Sequence, residues 1–159
     1  MYNMFVMIGF GALIGCSDKG VDTAGQSNFT DARATDLWNE IQGVEEWRQY
    51  SGWEGIVASS SVHGDYVQIL MNDAVMDALG LGESIPDGGI LLKETYYDAE
   101  GTSLKDFTVM KKIEGYNPDG SDWYWAQYLE DGTIQEQGSP ALCTGCHAAG
   151  EDYIRFLSE

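Results

Sequence analysis

Residues 85–138 read IPDGGILLKETYYDAEGTSLKDFTVMKKIEGYNPDGSDWYWAQYLEDGTIQEQG, and this stretch decides the fold. Three runs rich in β-branched, aromatic and long apolar residues, near 89–97, 105–114 and 122–129, are separated by DAEG and NPDG. Both separators are turn sequences, because Asp and Asn bond their own backbone and Gly accepts positive φ. Alternation puts Phe107, Val109 and Ile113 on one face of the second run. It likewise puts Trp123, Trp125 and Leu129 on one face of the third. Consecutive strands joined by short turns pair antiparallel, so the expectation is a meander.

Upstream, TDLWNEIQGVEEWRQY spaces Leu37, Ile41, Val44 and Trp47 at helical intervals. An amphipathic helix is expected there, with Thr35 as N-cap and Gly52 beyond its end. VASSSVHGDYVQILMND reads as strand, turn and strand about His63-Gly64-Asp65, or as one bulged strand. DAVMDALG reads as a short helix closed by Gly80, and AAGEDYIRFLSE as a short terminal helix. A helix first, antiparallel strands in the middle and short helices after them make an α+β domain, assigned to residues 35–159. Residues 16–34 are small and polar and read as a flexible tether.

The N-terminal MYNMFVMIGFGALIGCSDKG carries an apolar run from Met4 to Ile14. Spanning a bilayer takes about 20 residues, so the run is too short for that and suits the core of an export signal. Leu13-Ile14-Gly15-Cys16 resembles the lipobox of bacterial lipoproteins. That resemblance implies a signal peptide over 1–15, acylation of Cys16, and a lipid-anchored protein of the periplasm. Ser17 after the cysteine implies the outer membrane. The resemblance departs in one respect, for no Lys or Arg precedes the apolar run. The chain holds 26 acidic against 8 basic residues, a net charge of −18. Such a surface repels nucleic acid and anionic headgroups, so no nucleic-acid partner is expected.

With Cys16 assigned to an anchor, two of the three cysteines remain, in Cys143-Thr144-Gly145-Cys146-His147. This C-x-x-C-H spacing is the signature of covalent c-type haem attachment. Two thiols at that separation add across the porphyrin vinyl groups, and the next residue brings an imidazole to the iron. A thioredoxin-like C-x-x-C would open a helix in a βαβ unit, and no βαβ pattern is present. A zinc site needs four ligands, and only His63 remains as a further typical donor. One haem c is therefore expected, with His147 as axial ligand. The sixth position decides between an electron carrier, for which Met71, Met76 and Met110 are the methionine candidates, and an open ligand-binding iron. Each methionine sits in an apolar pattern and reads as core ahead of a ligand. His63 reads as a turn residue ahead of a distal base, and YNPDGSDW as a turn ahead of a calcium loop.

From Gly64 to Phe156 the chain resembles the cytochrome P-460 family, which includes the cytochromes c′-beta. The resemblance rests on HGDYVQILMNDAV, IPDGGILLKETY, FTVMKKIEGY, SDWYWAQY, CTGCH and DYIRF in that order. It implies an antiparallel sheet packed by helices, a homodimer, and haem held by Cys143, Cys146 and His147. It further implies an open, five-coordinate iron that binds or oxidises small nitrogen species, hydroxylamine or nitric oxide, with a periplasmic electron acceptor as partner of any oxidation. Whether the protein turns over as a hydroxylamine oxidoreductase is left open by the sequence.

Lys93 in GGILLKET stands where the hydroxylamine-oxidising members bond a lysine to the porphyrin. The residue-level alternative is a strand lysine whose stem packs on apolar surface while its amine reaches water. Oxidising members also carry a basic distal residue on the strand matching YVQILMND, where this chain has Val67, and an acid before the haem motif, where Glu136 is the nearest. Glu136 reads otherwise as a solvated loop residue. The cytochrome c′-beta branch caps its iron with apolar side chains, for which Phe107, Val67, Ile69 and Met71 are the candidates here, with ordinary core as the default for each.

Overall fold

The computed structural model describes residues 31–43 and 47–155. The segment read as signal peptide, Cys16 and most of the proposed tether lie outside them. Six strands form one antiparallel sheet in the order β1-β2-β3-β4-β5-β6. They are β1 (Val57–Ala58), β2 (Tyr66–Met71), β3 (Ile90–Tyr96), β4 (Leu104–Lys112), β5 (Trp123–Tyr128) and β6 (Ile134–Gly138), with helices α1 (Ala32–Ile41), α2 (Asp73–Leu81) and α3 (Ala141–His147). The meander and the α+β class are as the sequence predicts. Strand β6 is not foreseen, because IQEQG is polar and of low strand propensity. It is a short, largely hydrophilic edge, the kind that resists pairing with another chain.

Alternation along the strands assigns each residue to one of two faces. One face carries Leu70, Ile90, Leu92, Val109, Tyr124, Ala126 and Tyr128, and α1 covers it with Ala34, Leu37 and Ile41. The buried Tyr128 hydroxyl donates to the Ala34 carbonyl at 2.7 Å and ties helix to sheet. The other face carries Ile69, Met71, Leu91, Met110, Trp123 and Trp125, packed by Val75 and Ala78 of α2 and by Ile154. Buried on both faces, β3 opens with Ile90, Leu91 and Leu92 in succession rather than in alternation.

Several element ends differ from sequence expectation. Helix α1 starts earlier than Thr35, since the Asp31 carboxylate caps it by accepting from the Arg33 N–H at 3.0 Å. It thus takes in residues 32–34 of the tether. It also stops at Ile41, so Trp47 joins the same core from outside the helix. Helix α2 runs through Gly80 and is closed instead by Gly82, whose φ of 68° permits the left-handed cap. Leu129 leaves the Trp123–Trp125 face: β5 is irregular between Gln127 and Tyr128 and ends there, and Leu129 is exposed. The terminal helix is absent among the described residues. After α3 the chain turns, with an isolated bridge between Glu151 and Ile154 and positive φ at Asp152 and Tyr153. That turn is held by side chains a helix would displace. Asp152 pairs with Lys112 and accepts from the Ile85 N–H at 2.9 Å, and the Asp152 carbonyl accepts from Trp123 Nε1 at 2.8 Å.

Candidate functional site

The register aligns residues across the second face in rows. Ile69 pairs with Lys93, Lys93 with Thr108, Thr108 with Gln127 and Gln127 with Glu136. The neighbouring row is Met71, Leu91, Met110, Trp125 and Gly138. All of these residues except Met71 and Gly138 form the floor of a cavity of about 270 Å³, flanked on one side by the His63 turn and on the other by α3. The volume lies just below the usual range of ligand pockets, about 300–1,000 Å³. Lys93, Cys143, Cys146 and His147 all line it. The fold thus brings the strand lysine and the C-terminal motif to one place although some fifty positions separate them in the chain.

Helix α3 starts after Pro140, and Thr144 Oγ1 folds back on the Pro140 carbonyl at 3.2 Å. Cys143 and Cys146, three apart on the helix, share one side of it, and both thiols are free. Burial pushes the Cys143 thiol pKa up, with the charge of Glu136 adding to it. The Cys146 sulfur lies 3.2 Å from the Arg155 guanidinium. His147 closes the helix. Its Nδ1 lies 2.8 Å from the Tyr153 carbonyl oxygen, which can only accept, so Nδ1 carries the hydrogen and Nε2 keeps its lone pair. Burial holds the His147 pKa below the usual range, and nearby Lys93 and Arg155 act in the same direction against the Tyr153 bond. A neutral imidazole with its outer nitrogen fixed by a carbonyl is the form that ligates a metal.

Burial pulls Lys93 down to about 8. Lys93 is half-buried and lines the cavity. Lys93, Lys105 and Arg155, three of the eight basic residues in a chain of net charge −18, line this one cavity against a single acid, Glu136. Glu136 lies on β6 and not in a loop, though its side chain is exposed. Two buried polar atoms of the floor, Thr108 Oγ1 and Trp125 Nε1, have no partner among the described residues. Buried polar groups are nearly always satisfied, so these two mark a place for polar groups of an occupant. Two thiols, an imidazole, an apolar floor, cations for carboxylates and orphaned donors together fit haem. Among the described residues no group of three or more His, Cys, Asp or Glu side chains is gathered to hold a metal ion directly. The all-antiparallel sheet likewise leaves no βαβ unit for a thioredoxin-like site.

Of the expected cap residues, Ile69 alone lines the cavity. Phe107 is on the opposite face, edge-on to Trp38 at 5.6 Å, because it sits an odd number of positions from Thr108 and Met110. Val67 and Met71 share the cavity's face but are fully buried beside it. Met110 is the methionine that reaches the cavity; Met76 packs with α2 on the core. In YNPDGSDW the Asp122 carboxylate caps its own turn, accepting from the Asn117 N–H at 2.9 Å.

His63, read from sequence as a turn residue, does lie in a turn, yet its ring enters the cavity and stands 6.3 Å from the His147 ring, centroid to centroid. Burial and the charge of Lys93 pull its pKa down to about 3. These are the only histidines in the chain. That scarcity was the one available signal, and spacing alone does not convert it into a contact.

Such a cavity, offering thiols and an imidazole from one helix over an apolar sheet, defines a haem-binding cytochrome. The chain belongs to the cytochrome P460 family, whose model matches residues 45–154. No curated protein matches the chain.

Proposed function

We propose that the protein is a mono-haem c-type cytochrome whose iron keeps one position open for small nitrogen species, nitric oxide or hydroxylamine. The observation that carries this reading is the convergence of Lys93, Cys143, Cys146 and His147 on one cavity. Bound there, the haem supplies an iron that takes ligands and exchanges electrons. The residues divide the remaining work. Cys143 and Cys146 would hold the group by thioether bonds and so prevent its loss by dissociation. His147 offers Nε2 with its orientation fixed by Tyr153. Ile69, Leu91, Met110 and Trp125 exclude water from the floor. Lys93 would divide the two nitrogen chemistries: bonded to the porphyrin it would favour oxidation of hydroxylamine, which needs an electron acceptor, and unbonded it would favour reversible binding of nitric oxide. The lipobox-like Leu13–Cys16 supports a lipid-anchored periplasmic location.

The test is the intact mass and absorption spectrum of protein matured with haem, alone and as Lys93→Ala. A mass increment of one haem that survives denaturation, and is lost on replacing both cysteines, is expected. A red-shifted ferrous band absent from Lys93→Ala would identify the bonded form, and a spectrum unchanged by the substitution the ligand-binding form. Failure of haem to attach would sink the proposal.

A further inference from the structure

Metal–imidazole bonds measure about 2.0–2.1 Å. A five-membered ring with bonds of about 1.3–1.4 Å has its centre about 1.1–1.2 Å from each of its atoms. Two imidazoles held on opposite sides of one metal atom therefore have ring centres about 6.2–6.6 Å apart. The ring centres of His63 and His147 stand 6.3 Å apart. Their planes cross at 81°, which such a pair permits, because each ring can turn about its own bond to the metal. The spacing leaves room between the rings for a metal atom and for nothing more. It is fixed from both sides. The turn that carries His63 is closed at its base by the Ser59 N–H donating to the Asp65 carbonyl at 2.8 Å. Lys105 Nζ ties its apex to the sheet by donating to the His63 carbonyl at 2.7 Å. Gly64 follows with φ of 154°, and a Cβ there would collide with Thr95 Cγ2. The backbone after His63 thus lies against β3 at a distance only glycine allows. On the other side, the Tyr153 carbonyl holds the His147 ring. Two separate elements bring one imidazole each to the same cavity.

We infer that His63 is a second, displaceable axial ligand of the haem iron: at rest it holds the position that small ligands take, and such a ligand gains the iron by displacing it. The inference rests on the haem reading above and deepens it, since the position is then open through exchange with a protein side chain. Other side chains of the cavity are placed for other work. Lys105 is engaged by the His63 carbonyl, and Lys93 and Met110 stand on the floor strands β3 and β4 rather than on the flank opposite α3. Trp125 Nε1 offers a hydrogen and no lone pair. Burial and the charge of Lys93 keep the His63 ring neutral, the form that ligates a metal. A protein ligand in this position keeps water off the iron and lowers the apparent affinity of any competitor by the fraction of iron it leaves free. Only strong ligands would then be retained.

The experiment uses the haem-loaded full chain, wild type and His63→Ala, with attached haem verified by mass in each. Ferric wild type is expected to be low-spin in absorption and electron paramagnetic resonance, with the near-infrared band of two imidazoles. That band alone separates two imidazoles from imidazole with an amine or a thioether, so the test survives a variant that fails to fold. His63→Ala is expected to be high-spin and to return to low-spin when imidazole is added, a recovery that a merely structural role would not give. Rapid mixing of the ferrous proteins with carbon monoxide reads the displacement. The wild-type rate should level off as carbon monoxide rises, limited by the departure of His63. The rate in His63→Ala should rise in proportion to carbon monoxide and exceed wild type about tenfold or more, as where about a tenth of the iron or less is free. High-spin wild type would overturn the inference and leave the haem reading standing. So would a low-spin signal that persists in His63→Ala without imidazole, which would assign the position to Lys93 or Met110. Wild type that carries no haem would remove the functional reading and this inference together, and the mass alone reports that case.

Discussion

His147 Nδ1 lies 2.8 Å from the carbonyl oxygen of Tyr153, six residues further along the chain. The bond is made possible by positive φ at Asp152 and Tyr153, 45° and 61°. Asp152 holds that strained turn through Lys112, the Ile85 amide and Trp123. The orientation of the haem-ligand candidate therefore depends on a carboxylate that does not line the cavity.

Asp152→Asn tests this dependence, because asparagine tolerates positive φ and can still accept from Ile85. It leaves the Lys112 ammonium, whose side chain is 13% exposed, without its counter-charge. A loss of about 3 kcal/mol in denaturant unfolding is expected. Lys112→Met added to Asp152→Asn should recover part of that loss, and purely additive losses would count against the pair.

Lys93 gives a pH signature in the haem-free, reduced protein. Burial lowers its folded pKa to about 8 from 10.5. Between those values the unfolded chain binds more protons than the folded one, so this residue's contribution to stability rises with pH. Below pH 8 the cost of the buried ammonium is fully present. Urea midpoints at pH 7.5 and 9.5 should show wild type gaining on Lys93→Met, and a constant difference would mean that the amine is solvated.

Leu37→Ala should separate the two faces of the sheet. Leu37 is 2% exposed and packs α1 on the face away from the cavity. A loss of about 3 kcal/mol is expected, as for other buried leucines. The absorption spectrum of the haem-loaded variant should not move.

Gly64→Ala keeps the His63 imidazole but displaces the turn that aims it. The misplaced Cβ and the unfavourable φ should cost about 1–3 kcal/mol. The carbon monoxide stretching frequency of the haem-loaded ferrous variant should differ from that of wild type. An unshifted frequency would show that the turn accommodates the methyl group without moving the ring.

Much of the fold was legible because strand alternation and turn chemistry are local signals. Trp123 and Trp125 announce a face, and DAEG and NPDG announce the turns around it. What escaped was fixed by distant partners. Strand β6 exists because β5 offers it an edge, and the turn at Asp152 exists because Lys112, Ile85 and Trp123 hold it. The Cys143–His147 motif was legible as chemistry, since its spacing is the message. Phe107 was misplaced as a cap because parity had already put it with Val109, facing α1. His63 was legible only as a turn, because its meeting with His147 spans the whole width of the sheet.

The strand order has a temporal consequence. Each strand neighbours the next in sequence, so pairing is local throughout and closes small loops rather than large ones. A chain emerging from its N-terminal end completes β1 to β5, and with them the floor from Ile69 to Gln127, before α3 appears. The floor of the cavity is thus assembled before the helix that completes its wall, and α3 docks on a sheet already paired.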